Sequence, residues 1–299
     1  MNLLKNKVFF FLLIFSLLIL QAQVFGQAKN FRFVVEERLA RTPVMKGSKM
    51  SVGIRLEEVC DVDNDKVADR VFREYGAIFV VGKEGMLLPP KCVFSNDSEV
   101  QAYQSAAKVR TQNISGTTIT LQEKAMDDLL AAVAEAGKKN LRISPRGGSI
   151  AAKRSYQETV DLWYSRFNPG LTYWTGRGRI SRREAEMVRT WGLQKQVGQV
   201  LEWEKQGIWF SKDLSKSILY SVAAPGASQH IFMLALDVEQ YANRAVREIL
   251  ANHGWFQTVR SDLPHFTYLG VPNDKNKLES LGLKSVSSGG QTFWVPNLD

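Results

Sequence analysis

Apolar residues recur along the chain in short segments whose period keeps changing. Phe31, Phe33 and Val35 alternate as in a half-buried strand, and Met50 to Leu56 shows similar spacing. Ala77 to Val81 is a continuous apolar run that reads as a buried strand, and Pro89-Pro90 marks a later break. Thr120 and Glu123 have capping-box spacing and predict a helix through Ala136, with Ala125, Leu129 and Val133 on one stripe and Gly137 as its end. A short strand, Leu141 to Ser144, and a turn, Pro145 to Gly148, follow. Tyr156 to Phe167 predicts a helix stopped by Pro169-Gly170, and a glycine-rich basic loop at Gly176 to Arg179 precedes another helix from Arg182 to about Lys205. A helix over Ala242 to Asn252, capped by Gly254, leads to strands at Trp255 to Val259 and His265 to Leu269. Helices and short strands without a βαβ rhythm predict an α+β fold. The last stretch, 271–299, carries Phe293-Trp294-Val295 and is expected to pack back on the body.

The first residues change the picture of where the chain works. Lys5 and Lys7 precede an apolar run from Val8 to Leu20 that only Ser16 interrupts. That run is shorter than the ~20 residues of a spanning helix and reads as a signal peptide. Val24-Phe25-Gly26 before Gln27 is the expected cleavage site, with Ala22 as the alternative, so residues 1–26 form the leader. An uncleaved anchor is the other reading; in both, the remainder is exported to the periplasm or the exterior. After cleavage no stable membrane span is expected. Cys60 and Cys92 are the two cysteines, and in an oxidising compartment they most simply form one disulfide.

Composition adds exclusions. Of 299 residues, 44% are hydrophobic and 23% charged, which suits a globular protein and not a disordered, collagenous or multi-span chain. The net charge of +9 becomes +7 once Lys5 and Lys7 leave. An exported basic protein meets teichoic acids, lipid headgroups and peptidoglycan carboxylates. Without Arg-rich runs or a known binding module, nucleic acid is a poor partner. Asp61, Asp63 and Asp65 have calcium-loop spacing, but Lys66 and Phe72 stand where an EF-hand needs Gly and Glu, so Asp65 is read as a helix N-cap.

Candidate chemistry gathers near the C-terminal end. The histidines are His230, His253 and His265, with Asp237 and Asp262 nearby. Two imidazoles and a carboxylate suit Zn²⁺ with a fourth position for water. His253, just before Gly254, fits better as a partner of helix-end carbonyls. His230 and Asp237 would face opposite sides of a straight strand, and a helix would hold them ~10 Å apart, so the chain must bend between them.

The segment Ala224 to Val238 resembles the SxHxxGxAxD signature of the zinc D-alanyl-D-alanine carboxypeptidases and L-alanyl-D-glutamate peptidases, which share the hedgehog/DD-peptidase fold. Ser228, His230, Ala235 and Asp237 match it, and Met233 stands at the Gly position. Asp262-Leu263-Pro264-His265-Phe266 is similar to the DxPHF motif of the L-alanyl-D-glutamate branch. Arg154-Ser155-Tyr156 resembles the RSYxxQ run, with Thr159 in place of Gln. The resemblance covers about residues 120 to 270. It implies a small antiparallel sheet carrying a zinc site and flanked by helices, within a peptidase core at 119–270. Residues 27–118 would precede that core without an assigned role, and 271–299 would extend it. His230, Asp237 and His265 would hold Zn²⁺, Asp262 would act as general base, and Ser228 would line the substrate site. Arg154 would grip a substrate carboxylate bidentately, with Arg146 as its rival. The substrate would be a peptidoglycan stem peptide, cut by a D-alanyl-D-alanine carboxypeptidase. The alternatives are an L-alanyl-D-glutamate endopeptidase and a non-catalytic wall-binding protein on the same fold. Trp163, Trp174, Trp191, Trp203 and Trp209 are candidates to stack on sugars or peptides, although helical positions favour the core. Lys212 and Lys216 are candidates for the cleft rim.

Overall fold

The computed structural model describes residues 29–47, 49–82 and 84–299, so the expected leader lies outside the described residues. The fold is mixed α+β, with small antiparallel sheets among many helices. Among the described residues no helix is long and apolar enough to cross a membrane.

The N-terminal segment overturns the strand reading. Phe31–Arg41 is a helix (α1), capped by Asn30, whose side chain accepts from the Arg32 and Phe33 amides. Phe31, Val35 and Leu39 are buried one turn apart while Phe33 is exposed, so the four-residue stripe overrides the two-residue alternation. A short hairpin, β1 (Val44–Lys46) with β2 (Lys49–Ser51), follows. The Met50 to Leu56 spacing therefore yields strand only as far as Ser51; Leu56 already opens helix α2 (Leu56–Val59). Helix α3 (Lys66–Tyr75) starts at Asp65, whose carboxylate accepts from the Val67 and Ala68 amides, as expected. Asp63 pairs with Arg32 and Asp61 with Asn64, which accounts for the acidic run without calcium. The apolar run after α3 is a buried 3-10 segment, Gly76–Val80, not a strand; an unbroken apolar run carries no period to separate the two. Cys60 and Cys92 form the disulfide.

Helix α4 (Asp97–Ala106) leads to a hairpin of β3 (Val109–Ile114) and β4 (Thr117–Gln122), turned at Ser115-Gly116, both at positive φ. Thr120 lies in β4 opposite Thr111, so it does not cap helix α5 (Glu123–Lys138); strand pairing takes the position first. Leu141 to Ser144 forms no strand, and only Pro145 bridges, to Val238. Helix α6 runs Tyr156–Gly176, straight past Pro169. Gly170 explains the continuation: a Cβ there would lie 2.5 Å from the Phe210 ring, so the helix is held against that ring through its glycine. The long helix expected next is two, α7 (Arg182–Arg189) and α8 (Leu193–Glu204), split at the extended Gly192.

The site lies in a three-stranded sheet, ordered β5 (Ala235–Asp237), β7 (His265–Tyr268), β6 (Trp255–Phe256), all antiparallel. Helix α9 (Arg244–Asn252) connects β5 to β6. Helix α10 (Lys275–Ser280) and a final hairpin, β8 (Leu283–Ser288) with β9 (Gln291–Pro296), close the chain. The hairpin docks as expected: Phe293 is fully buried, and the Trp294 amide donates to the Gln257 carbonyl at 2.8 Å. One continuous apolar core reaches from Phe31 to Leu283, so the N-terminal helices and the sheet share a single interior.

Candidate metal centre

The bend that the sequence requires between His230 and Asp237 is present. Gln229–Phe232 is a 3-10 turn, with Ser228 at its N-cap position. Met233 then takes a left-handed conformation at φ 55°, ψ 36°, and the chain straightens into β5. That conformation suits glycine best, and a buried Met adopts it here. Across the sheet Asp237 sits opposite His265, so those two side chains share a face by strand register alone.

Three atoms converge. His230 Nε2 lies 3.1 Å from His265 Nδ1 and 3.4 Å from Asp237 Oδ1. His265 Nδ1 lies 3.3 Å from the same carboxylate oxygen. A tetrahedral zinc ion with bonds of ~2.0–2.1 Å separates its ligand atoms by ~3.3 Å, so the spacing fits. The group is buried and can hold a metal ion. No other such group occurs among the described residues.

Protonation favours a cation as well. His265 Nε2 lies 2.8 Å from Gln229 Oε1, while the Gln229 amide nitrogen donates to the Tyr75 carbonyl at 2.7 Å. A backbone carbonyl can only accept, so the Tyr75 contact fixes the amide nitrogen and leaves Oε1 toward His265, where the Thr267 hydroxyl also donates to it. The His265 proton is thereby placed on Nε2, leaving the Nδ1 lone pair facing the cluster. Burial, then the Arg154 charge, lowers the His230 pKa to about 3, so this ring stays neutral. Its Nδ1 is buried without a hydrogen-bond partner among the described residues. Burial alone would raise the Asp237 carboxyl, but the two imidazoles outweigh it and hold the group well below the ordinary carboxylate range. With its proton on Nε2, His265 faces the Asp237 carboxylate through the Nδ1 lone pair, 3.3 Å from Oδ1.

Of the other expected residues, Arg154 and Arg146 bond to Asp237 directly. Arg154 donates from Nη2 to Asp237 Oδ2 at 2.7 Å and from Nε to the Ile150 carbonyl at 3.0 Å. Its backbone amide donates to the His230 carbonyl. Nε and one hydrogen of Nη2 are so engaged, while Nη1 has no partner among the described residues. Arg146 is half exposed: its amide donates to the Asp237 carbonyl, and its guanidinium lies over Tyr241 and near Glu239. Asp262 lies before β7, where burial raises its carboxyl to about 6, with the Asp237 charge adding and His265, Arg154 and Lys216 opposing. Ser228 is buried and makes no side-chain cap bond. Thr159 accepts from the Gly226 amide at 3.0 Å and so holds the loop that enters the His230 turn. His253 stands apart, bonded to Glu135 at 2.9 Å.

Sequence reasoning missed Gln229 and the Tyr75 carbonyl behind it. An amide between two motif residues has no pattern to single it out, and a backbone carbonyl has no sequence signature.

Compared with protein-family models and with curated proteins, the chain matches none.

Proposed function

We propose that the protein is an exported zinc peptidase acting on peptidoglycan stem peptides, first as a D-alanyl-D-alanine carboxypeptidase. The observation that carries this reading is the convergence of His230 Nε2, Asp237 Oδ1 and His265 Nδ1 at 3.1–3.4 Å. The motifs holding those residues resemble the zinc peptidases of the hedgehog/DD-peptidase fold, and the Cys60–Cys92 disulfide is compatible with export.

His230, Asp237 and His265 would hold the ion. Bound zinc supplies Lewis acidity, polarising a carbonyl and acidifying water. Asp262 is the residue for proton transfer: its carboxylate accepts a proton from the attacking water and returns it to the leaving amine. A pKa near 6 suits both directions of that transfer near neutral pH. Arg154 steadies the ligand carboxylate through Nη2, and its Nη1 is the group we assign to a substrate carboxylate.

One observation favours a second reading. Asp262-Leu263-Pro264-His265-Phe266 follows the L-alanyl-D-glutamate pattern, which supports an endopeptidase on the same machinery. Digestion of a purified stem pentapeptide by the zinc-loaded protein separates the two. Free D-Ala is the expected product; a cut after L-Ala supports the endopeptidase. A protein that binds zinc yet cuts neither bond is the non-catalytic wall-binding form.

A further inference from the structure

The chain ends in a hairpin whose turn is set by two glycines. Ser288-Gly289-Gly290-Gln291 joins β8 to β9, and both glycines take positive φ, 55° and 72°, as a two-residue hairpin turn favours. Ser288 and Gln291 are the closing pair of the ladder, so their side chains leave the same face. Phe293 anchors the hairpin in the core, and the Gln257 carbonyl, just after β6, accepts the Trp294 amide. The tip is thus carried on a fixed support.

That tip meets the turn that carries Asp262. The Asp262 amide donates to the Val259 carbonyl at 3.1 Å, and the Asp262 carbonyl accepts the His265 amide at 3.2 Å. Just before Asp262, Ser261 takes φ 67°, a left-handed conformation that is costly for a residue with a Cβ. Such a conformation persists where surrounding contacts hold it.

The hairpin supplies contacts of that kind. Ser261 Oγ lies 3.0 Å from Ser288 Oγ, a hydrogen bond between the two hydroxyls. Gln257 is buried, and its Nε2 donates to two oxygens, the Leu263 carbonyl and Gln291 Oε1, both at 2.6 Å. A backbone carbonyl can only accept, so the first contact identifies the Gln257 nitrogen, and its second hydrogen is left for Gln291. A Cβ on Gly289 would lie 3.4 Å from the Leu263 side chain, so the glycine turn also lies against this loop. Ser261 and Leu263, the two neighbours of Asp262, are both tied to the hairpin tip. Ser261 is tied directly, and Leu263 through Gln257 and Gly289.

We propose that the C-terminal hairpin is a working part of the active site, with Ser288 and Gln291 as positioning residues that hold the turn from which Asp262 acts. The proposal rests on the peptidase reading, which makes Asp262 the base. It gives the segment 271–299, which the zinc-peptidase resemblance leaves outside the core, a task beyond burial. A base transfers a proton only from the right distance and angle, and small displacements of such a group cost rate steeply. Neither Ser288 nor Gln291 bonds to His230, Asp237 or His265, so loosening them spares the ligands. A hairpin serving burial alone needs Phe293 but not these two side chains, and that is the difference to be measured.

The test compares full-length, zinc-loaded wild type with Ser288→Ala, Gln291→Leu and the double variant. Hydrogen exchange of the amides of residues 260–263 and steady-state cleavage of a stem pentapeptide are read on the same samples. In the double variant those amides should exchange about tenfold faster. Its kcat should fall about tenfold, with KM within about twofold and zinc content unchanged. Gln291→Glu, which keeps an acceptor oxygen, should recover most of the loss seen in Gln291→Leu. Unchanged exchange, or faster exchange with unchanged kcat, overturns the positioning role alone. So does a fall in kcat that merely follows loss of zinc. A zinc-loaded wild type that cuts no stem peptide overturns the peptidase reading and the positioning role together.

Discussion

His265 Nε2 and Gln229 Oε1 lie 2.8 Å apart, which makes the residue beside one histidine the orienting partner of the other. Metal-ligating imidazoles depend on such partners for tautomer and ring angle, and losing one typically costs ~10–100-fold in affinity. Gln229→Leu is therefore expected to weaken zinc binding by about that factor, measured by competition with a chromogenic chelator. Gln229→Glu, which keeps an acceptor oxygen, should recover part of the loss. Unchanged affinity in the leucine variant would remove Gln229 from the account.

Arg154 and Arg146 should separate clearly. Arg154 is largely buried and pairs with the metal-facing carboxylate, whereas Arg146 is half exposed at the rim. Removing one member of a buried charge pair costs ~3–5 kcal/mol, while a surface pair is worth ~0–1 kcal/mol. Arg154→Ala should lower both unfolding free energy and kcat/KM, the latter by at least ~100-fold. Arg146→Ala should change kcat/KM by no more than about threefold. The reverse ranking in steady-state assays would assign the substrate carboxylate to Arg146.

Met233 sets two effects against each other. Its left-handed backbone carries ~1–2 kcal/mol of strain that glycine would relieve. Its fully buried side chain is worth ~2–5 kcal/mol, so burial wins. Met233→Gly should thus lose about 1–3 kcal/mol in denaturant unfolding yet retain its zinc. Loss of zinc at unchanged stability would show that the turn needs methionine for another reason.

The acid side of the pH profile should belong to Asp262. Burial raises this carboxyl to about 6, and the active form is the carboxylate, so activity increases as pH rises through that value. A bound dication stabilises the carboxylate, so the midpoint falls at about 6 or below. Asp262→Asn should lose ~10²–10⁴-fold in kcat and flatten this limb. A limb unchanged in the asparagine variant would point to another base.

The His230, Asp237 and His265 group was legible through the motifs around those residues, which resemble a known signature; the scarcity of histidine alone would not have singled it out. Two histidines and an aspartate in such motifs need no knowledge of secondary structure to stand out. The required bend at 230–237 was likewise deducible, since neither a straight strand nor a helix brings both side chains to one ion. Local structure was harder to read. Phe31 to Val35 satisfied two periods at once, and only burial against the core decided for the helix. At Pro169 the helix stop was outweighed by packing of Gly170 on Phe210, a contact between positions forty residues apart. Gln229 was invisible for the same reason: its partners, Tyr75 and His265, are distant in the chain.

Zinc analysis of the purified full-length protein bears most directly on the central assignment. After reconstitution and removal of free metal, the wild-type chain should retain one equivalent of zinc, and His265→Ala should retain essentially none while still folding. A folded wild-type protein that retains no zinc, or a His265→Ala variant that binds it as tightly, would contradict the account.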